Sequence, residues 1–268
     1  MSARVGLSGW GVQQTVQNVY NGFYERASIL FTDIIPGNIT CVIPNAISWA
    51  YRRFWTGSIT CQTLTSTAGK TAYLFKHADA SAARMPAVLL THGEHSHPLT
   101  TLHLADIAQA QKFAVYSVYL PYDDHHPEEH SQLLQKCIDI IGVPVLVGGH
   151  SRGAIEVAYE AYVNWNKKII GVIAIAGRFR VIEPSTRPCR DSLKAWVNAV
   201  WEKLRPGQYL GVPFYQLVAK DDWCIDQKAS LVRRDQKYKI VDAGHLGVVN
   251  HADTLKQFDT WLGEFSPS

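Results

Sequence analysis

Val143-Pro144-Val145-Leu146-Val147-Gly148-Gly149-His150-Ser151-Arg152-Gly153 decides the fold of this 268-residue chain. Residues 143–148 form the apolar run of a buried parallel strand. Ala154-Ile155-Glu156-Val157-Ala158-Tyr159-Glu160-Ala161-Tyr162 places apolar side chains on one helical stripe. Between strand and helix stands a G-x-S-x-G pattern, Gly149 to Gly153. A turn this tight forces its serine into a strained backbone conformation and lifts the hydroxyl clear of the sheet. The two glycines are needed because a Cβ at either position would meet the strand or the helix. Five residues with three fixed identities recur by chance. The strand before and the helix after are what separate this stretch from a plain glycine-rich turn.

Outward from this stretch, strand and helix patterns alternate. Residues 87–91, 113–119, 143–148, 169–176, 214–218 and 238–241 read as strands. Residues 102–111, 127–141, 154–166 and 248–262 read as helices. This rhythm predicts an α/β domain with a mostly parallel sheet flanked by helices on both faces. Residues 58–65 and 71–75 read as an antiparallel hairpin around Thr67-Ala68-Gly69-Lys70 that extends one sheet edge. Two regions fall outside the rhythm. Residues 1–57 form an N-terminal extension with a helical stretch at 12–28, ahead of a domain at 58–268. Residues 178–211 form a short insertion, in which Leu193, Trp196, Val197, Val200, Trp201 and Leu204 make one apolar helical stripe. That helix reads as a cover for the sheet, and the loop at 178–190 as a small cap edging the site.

Composition narrows the function classes. With 47% hydrophobic residues the chain buries one large core. A formal net charge of +3, with no basic helix, gives no footprint for nucleic acid. Cys41, Cys61, Cys137, Cys189 and Cys224 are scattered and odd in number, with no C-x-x-C pair. They fit reduced thiols and a cytoplasmic setting. The N-terminus lacks the long apolar segment of a secretory signal.

A serine hydroxyl needs a base within hydrogen-bond reach, and the base needs an acid that fixes its tautomer. After a strand-to-helix elbow these follow in the order acid, then histidine. The strand at 214–218 runs into Asp221 and Asp222, on the rim where parallel strands end. Asp222 is favoured because Ala219, Asp222 and Ile225 meet a G-x-x-D-x-x-V-like frame, with alanine in place of its glycine. Asp221 stays an alternative and Asp226 a remote third. The strand at 238–241 leads to Gly244-His245. His251, the other histidine beyond Asp222, falls within the last helical pattern. For a developing oxyanion, the expected backbone N–H donors are Arg152, after the serine, and Glu94, in the loop Thr91-His92-Gly93-Glu94-His95, with His95 as the alternative.

In these residues, His92-Gly93, Gly149 to Gly153, Asp222 and Gly244-His245, the chain resembles the α/β-hydrolase superfamily over about residues 58–264. The resemblance implies a serine hydrolase acting on a carboxylic ester or related acyl bond of a small molecule. Ser151, His245 and Asp222 would be catalytic and Arg152 and Glu94 would supply the oxyanion hole, with no cofactor and no metal. Esterases, lipases, thioesterases and peptidases belong to that family. So do dehalogenases, whose nucleophile is aspartate, and some non-catalytic binding proteins. The compact size is similar to the dienelactone-hydrolase and small-esterase branch.

Three rival readings come from other residues. His92, His95 and His97, with His125, His126 and His130, are dense in zinc-ligand side chains, and Asp123 or Asp124 would complete a metal site. The usual H-x-H-x-D-H frame is absent, and the second cluster reads as a solvated loop rim. A non-catalytic binding protein on the same fold is the second rival. The third is peripheral membrane contact through residues 39–55, where Trp49, Tyr51, Phe54 and Trp55 flank Arg52 and Arg53.

Overall fold

The computed structural model describes residues 60–77, 86–94, 96–122, 127–182 and 191–265. The expectations for residues 1–59, His95, Asp123, Asp124, His125, His126 and the cap loop at 183–190 lie outside them, as do Cys41 and Cys189.

Strands β1 (Thr60–Thr65) and β2 (Thr71–Lys76) pair as the expected antiparallel hairpin. The others are β3 (Ala87–Thr91), β4 (Ala114–Tyr119), β5 (Val145–His150), β6 (Ile169–Ile175), β7 (Phe214–Ala219) and β8 (Tyr238–Val241). They form one sheet in the order β1-β2-β4-β3-β5-β6-β7-β8. β2 meets β4 antiparallel, and every pair from β4 to β8 is parallel. β3 and β5 are buried along their whole length, which is why their sequences run apolar without alternation. The chain goes from β3 to one side, then returns to lay β5 on the other. Open α/β sheets place their sites at such a reversal, outside the carboxyl ends of the strands, here those of β3 and β5.

The helices are α1 (Leu102–Ala110), α2 (Pro127–Ile141), α3 (Arg152–Ala158), α4 (Asp191–Leu204), α5 (Gln227–Ser230) and α6 (Ala252–Leu262). Alternate strand residues divide the core in two. Val88, Leu90 and Leu146 pack with Leu104, Ala108, Phe258 and Trp261 of α1 and α6. Leu89, Val145 and Val147 pack with Leu133, Ile138, Val157, Val197 and Val200 of α2, α3 and α4. The stripe on α4 faces this second core, and Trp196 stacks on Tyr159 with ring centroids 3.8 Å apart. Among the described residues, no helix is long and apolar enough to cross a membrane.

Three elements differ from the sequence pattern by more than one residue. β5 starts at Val145, not 143, and continues through Gly149 to His150. The helix expected at 154–166 begins at Arg152 and ends in a π-helical turn, Tyr159–Val163. The wider turn brings buried Glu160 to Ser131 Oγ and to Asn164 Nδ2, a polar requirement that overrides the helical repeat. The last helix is interrupted. A 3-10 turn, Gly247–Asn250, precedes α6, and His251 stands between them at φ −68° and ψ 140°. His251 is therefore a cap and not a mid-helix residue: its Nδ1 accepts the Asp253 N–H at 3.2 Å. Val248 and Val249 are buried in the 3-10 turn, so hydrophobicity carries across the break and hides it.

Candidate active site

β5 ends at His150 and α3 begins at Arg152, so Ser151 alone makes the turn. Its backbone takes φ 53° and ψ −116°, in a region L-residues rarely enter. The Ser151 N–H donates to Ile175 O at 2.8 Å, anchoring the turn to β6. A Cβ on Gly149 would lie 2.4 Å from the carbonyl carbon and oxygen of Gly153. A Cβ on Gly153 would lie 2.4 Å from Thr91 Oγ1 and 2.5 Å from His92 O. Both glycines are therefore fixed by backbone contact, and through Gly153 the elbow presses on the loop after β3.

Two further loops bring side chains to the serine. His245 follows β8 and is 4% exposed. Its Nε2 lies 2.9 Å from Ser151 Oγ and its Nδ1 lies 2.7 Å from Asp222 Oδ2. The carboxylate can only accept, so Nδ1 carries the proton and Nε2 is left to accept from the serine. Asp222 is held in turn, because its Oδ1 accepts the N–H of Cys224 at 2.7 Å and of Ile225 at 2.8 Å. Of the three aspartates, Asp222 is the one bonded to His245. Asp221 is exposed, with its N–H on Ala243 O, and Asp226 caps α5 by accepting from Lys228 N. Hydrogen bonds in this order are the arrangement that can activate a serine hydroxyl as a nucleophile.

The loop after β3 closes the other side. His92 is buried; its Nδ1–H donates to Gly93 O at 2.7 Å and its Nε2 accepts the Leu120 N–H at 3.1 Å. Burial pushes it down to about 4, so it is neutral and structural. A Cβ on Gly93 would approach His150 Nδ1 to 2.9 Å and Ser151 Cβ to 3.2 Å, so backbone lies directly against the serine here. Glu94 follows, half-buried.

Three participants escaped the sequence reading. The first is His150, inside the pattern itself. It is 2% exposed, and its Nε2–H donates to the carbonyl oxygen of His245 at 2.9 Å. Burial, with His245 beside it, lowers it to about 3. The second is the side chain of Arg152, which turns inward. Its Nε donates to Glu156 Oε1 at 3.2 Å, its Nη2 to His130 Nδ1 at 3.2 Å, and its guanidinium lies 5.2 Å from the Tyr122 ring centre. The i,i+4 spacing of Arg152 and Glu156 was a signal, but such pairs usually face water. The third is His130, where the expected solvated rim is corrected. It is 0% exposed, and its Nε2–H donates to Pro121 O. His97 is likewise buried, against Phe75 and Tyr119, and lowered by burial to about 3. His92 shares Tyr119 with His97 and Tyr122 with His130, so the three rings are packed through two tyrosines.

No protein-family model and no curated protein matches the sequence. Solved structures do. The thioesterase domain from the curacin biosynthetic pathway superposes with a TM-score of 0.57 at 15% identity, over 76% of this chain and 99% of that one. Est1E from Butyrivibrio proteoclasticus gives 0.58 at 14%, over 76% and 98%. The haloalkane dehalogenase DatA from Agrobacterium tumefaciens C58 gives 0.58 at 10%, over 77% and 97%. In strand order, helix layers and the turn at Ser151, the chain has the α/β-hydrolase fold.

Proposed function

We propose that the protein is a serine hydrolase that cleaves a carboxylic ester or related acyl bond through an acyl-enzyme. One observation carries the reading. Ser151, held at φ 53°, has Oγ 2.9 Å from His245 Nε2, while Nδ1 of the same ring is 2.7 Å from Asp222. Ser151 Oγ attacks the acyl carbonyl as its proton passes to His245 Nε2. Asp222 stabilises the imidazolium, which then protonates the leaving group. The N–H groups of Arg152 and Glu94 face the oxyanion. Each such donor lowers the barrier by about 3 kcal/mol. Water repeats the sequence and frees the acid, with no cofactor in either half. Neighbours named as a thioesterase and a dehalogenase show that the fold alone does not choose the reaction. Serine, in place of the aspartate associated with dehalogenases, favours acyl transfer. Beside His245 stand Leu246 and Trp223, 40% and 58% exposed, an apolar rim suited to an ester's hydrocarbon part.

A fluorophosphonate probe tests the reading. The wild type should be labelled once per chain, and Ser151→Ala and His245→Ala should not. Folded wild type that resists the probe would sink the proposal. A p-nitrophenyl ester series of increasing acyl length then reads the size of the acyl pocket.

A further inference from the structure

The relay has a fourth chemically distinctive neighbour, the thiol of Cys224. It sits two residues past Asp222 in the bend after β7, half-buried, and its backbone N–H is one of the two that hold Asp222 Oδ1. Among the described residues, Asp222, Cys224 and His245 are the one group of three His, Cys, Asp or Glu side chains whose donor atoms all lie within 4.8 Å of one another. Carboxylate, thiol and imidazole together are the donor set of a borderline-soft divalent cation, with zinc the first choice. In a tetrahedral zinc site the donors stand about 3.3–3.7 Å apart. The Nδ1–Oδ2 distance of 2.7 Å would open by somewhat over half an ångström, and the thiol, no farther than 4.8 Å from either donor, would swing in by at most about one. Arg178, whose Nη2 donates to Cys224 O at 3.0 Å, pins the backbone of this bend from the end of β6, so the thiol is presented from a fixed main chain.

We infer that Asp222, Cys224 and His245 form an inhibitory site for zinc or a similar thiophilic divalent cation, which switches the relay off by taking His245 Nδ1. Binding exchanges the Cys224 S–H bond for a metal–sulfur bond and releases one proton. The imidazole stays neutral, but its single proton moves from Nδ1 to Nε2. An Nε2–H cannot receive the proton of Ser151, so the general base is lost while the fold is untouched. Asp222 Oδ2 gives the metal the lone pair that now accepts from Nδ1, and its Oδ1 keeps the two backbone N–H bonds. Water takes the fourth position on the exposed side, beside Trp223. The inhibition rests on the hydrolase reading above; the binding does not.

The two are separated by using two readouts on the full-length chain, stripped with a chelator and dialysed. Cobalt(II), a spectroscopic stand-in for zinc, is titrated first. One cobalt per chain should bind, with thiolate-to-cobalt charge-transfer absorption in the near ultraviolet. That absorption should vanish in Cys224→Ser and in Cys224→Ala and persist in Cys61→Ser, which removes an exposed thiol of β1. Zinc should bleach the cobalt spectrum and slow fluorophosphonate labelling of Ser151. In Cys224→Ser, compared with its own metal-free rate, the same slowing should need about tenfold or more zinc. Absence of the charge-transfer band, or a band that survives Cys224→Ser, overturns the site. Zinc that slows labelling equally in wild type and Cys224→Ser overturns it too. A chain that binds cobalt through Cys224 but never reacts with the probe would instead refute the hydrolase reading and leave the metal site standing.

Discussion

The guanidinium of Arg152 reaches back to Glu94, with Nη1 3.9 Å from Oε1. These are the two residues whose backbone N–H groups the proposed mechanism aims at the oxyanion. Their side chains link the loop after β3 to the first turn of α3. Glu156, His130 and Tyr122 complete the surroundings, and Arg152 and Glu156 are 2% and 1% exposed. Charges this deep are retained at a desolvation cost.

Removing the cation leaves Glu156 buried beside no positive charge. Arg152→Met should therefore destabilise the protein by about 3–5 kcal/mol in urea unfolding. Arg152→Met combined with Glu156→Gln should recover a large part of that loss, because the orphaned charge goes with it. Additive losses in the pair would show that the two side chains do not act as a unit.

His150 touches the proposed relay through the main chain of His245, whose carbonyl oxygen accepts its Nε2–H. His150→Phe keeps a ring in the space and deletes the Nε2–H. The expected result is a fall in kcat of about tenfold, the worth of one buried hydrogen bond, with KM little changed. Stopped assays on a chromogenic ester separate the two constants. A rise in KM at constant kcat would mean that His150 shapes the substrate site instead.

Asp222 and Asp221 are adjacent in sequence, yet one faces His245 and the other faces solvent. Asp222→Asn should lower kcat by about 10³–10⁴-fold, since an amide stabilises the wrong imidazole tautomer. Asp221→Asn should stay within about twofold of wild type. Equal effects from both substitutions would contradict the assignment.

Burial holds His77 and His92 down at about 4, and His97 and His150 at about 3. Unfolded, each regains a value near 6.5 and binds a proton at pH 5. Asp106 and Glu160 oppose this, because burial raises them to about 6 and about 7, so that the folded state holds their protons there. The balance near pH 5 is about two extra protons on the unfolded chain, so stability falls as pH drops. The slope should be on the order of 2–3 kcal/mol per pH unit. Urea unfolding at pH 6, 5.5 and 5 measures it, and a flat profile would be incompatible with four buried neutral histidines.

The β/α alternation was legible because each strand from Ala87 to Val241 lies between helices or the turns that lead to them. Periodicity survives wherever one face of an element is buried. The loops carrying Ser151, Asp222 and His245 were legible from their order and from the strands they follow. What periodicity could not show is polar burial. Arg152, His130, Glu156 and Glu160 are residue types that ordinarily face water, and only three-dimensional packing shows them inside. The π-helical turn at Tyr159–Val163 and the break at His251 share that cause, since each is set by a hydrogen bond that hydrophobic spacing does not encode.

The dihedral of Ser151 sets reactivity against durability. At φ 53° a serine carries strain that glycine would not, on the order of 1–2 kcal/mol. Ser151→Gly should thus melt at a higher temperature than the wild type, while losing the hydroxyl on which the proposed chemistry depends. The position on which the proposed chemistry depends would then also be one where the folded state gains from substitution.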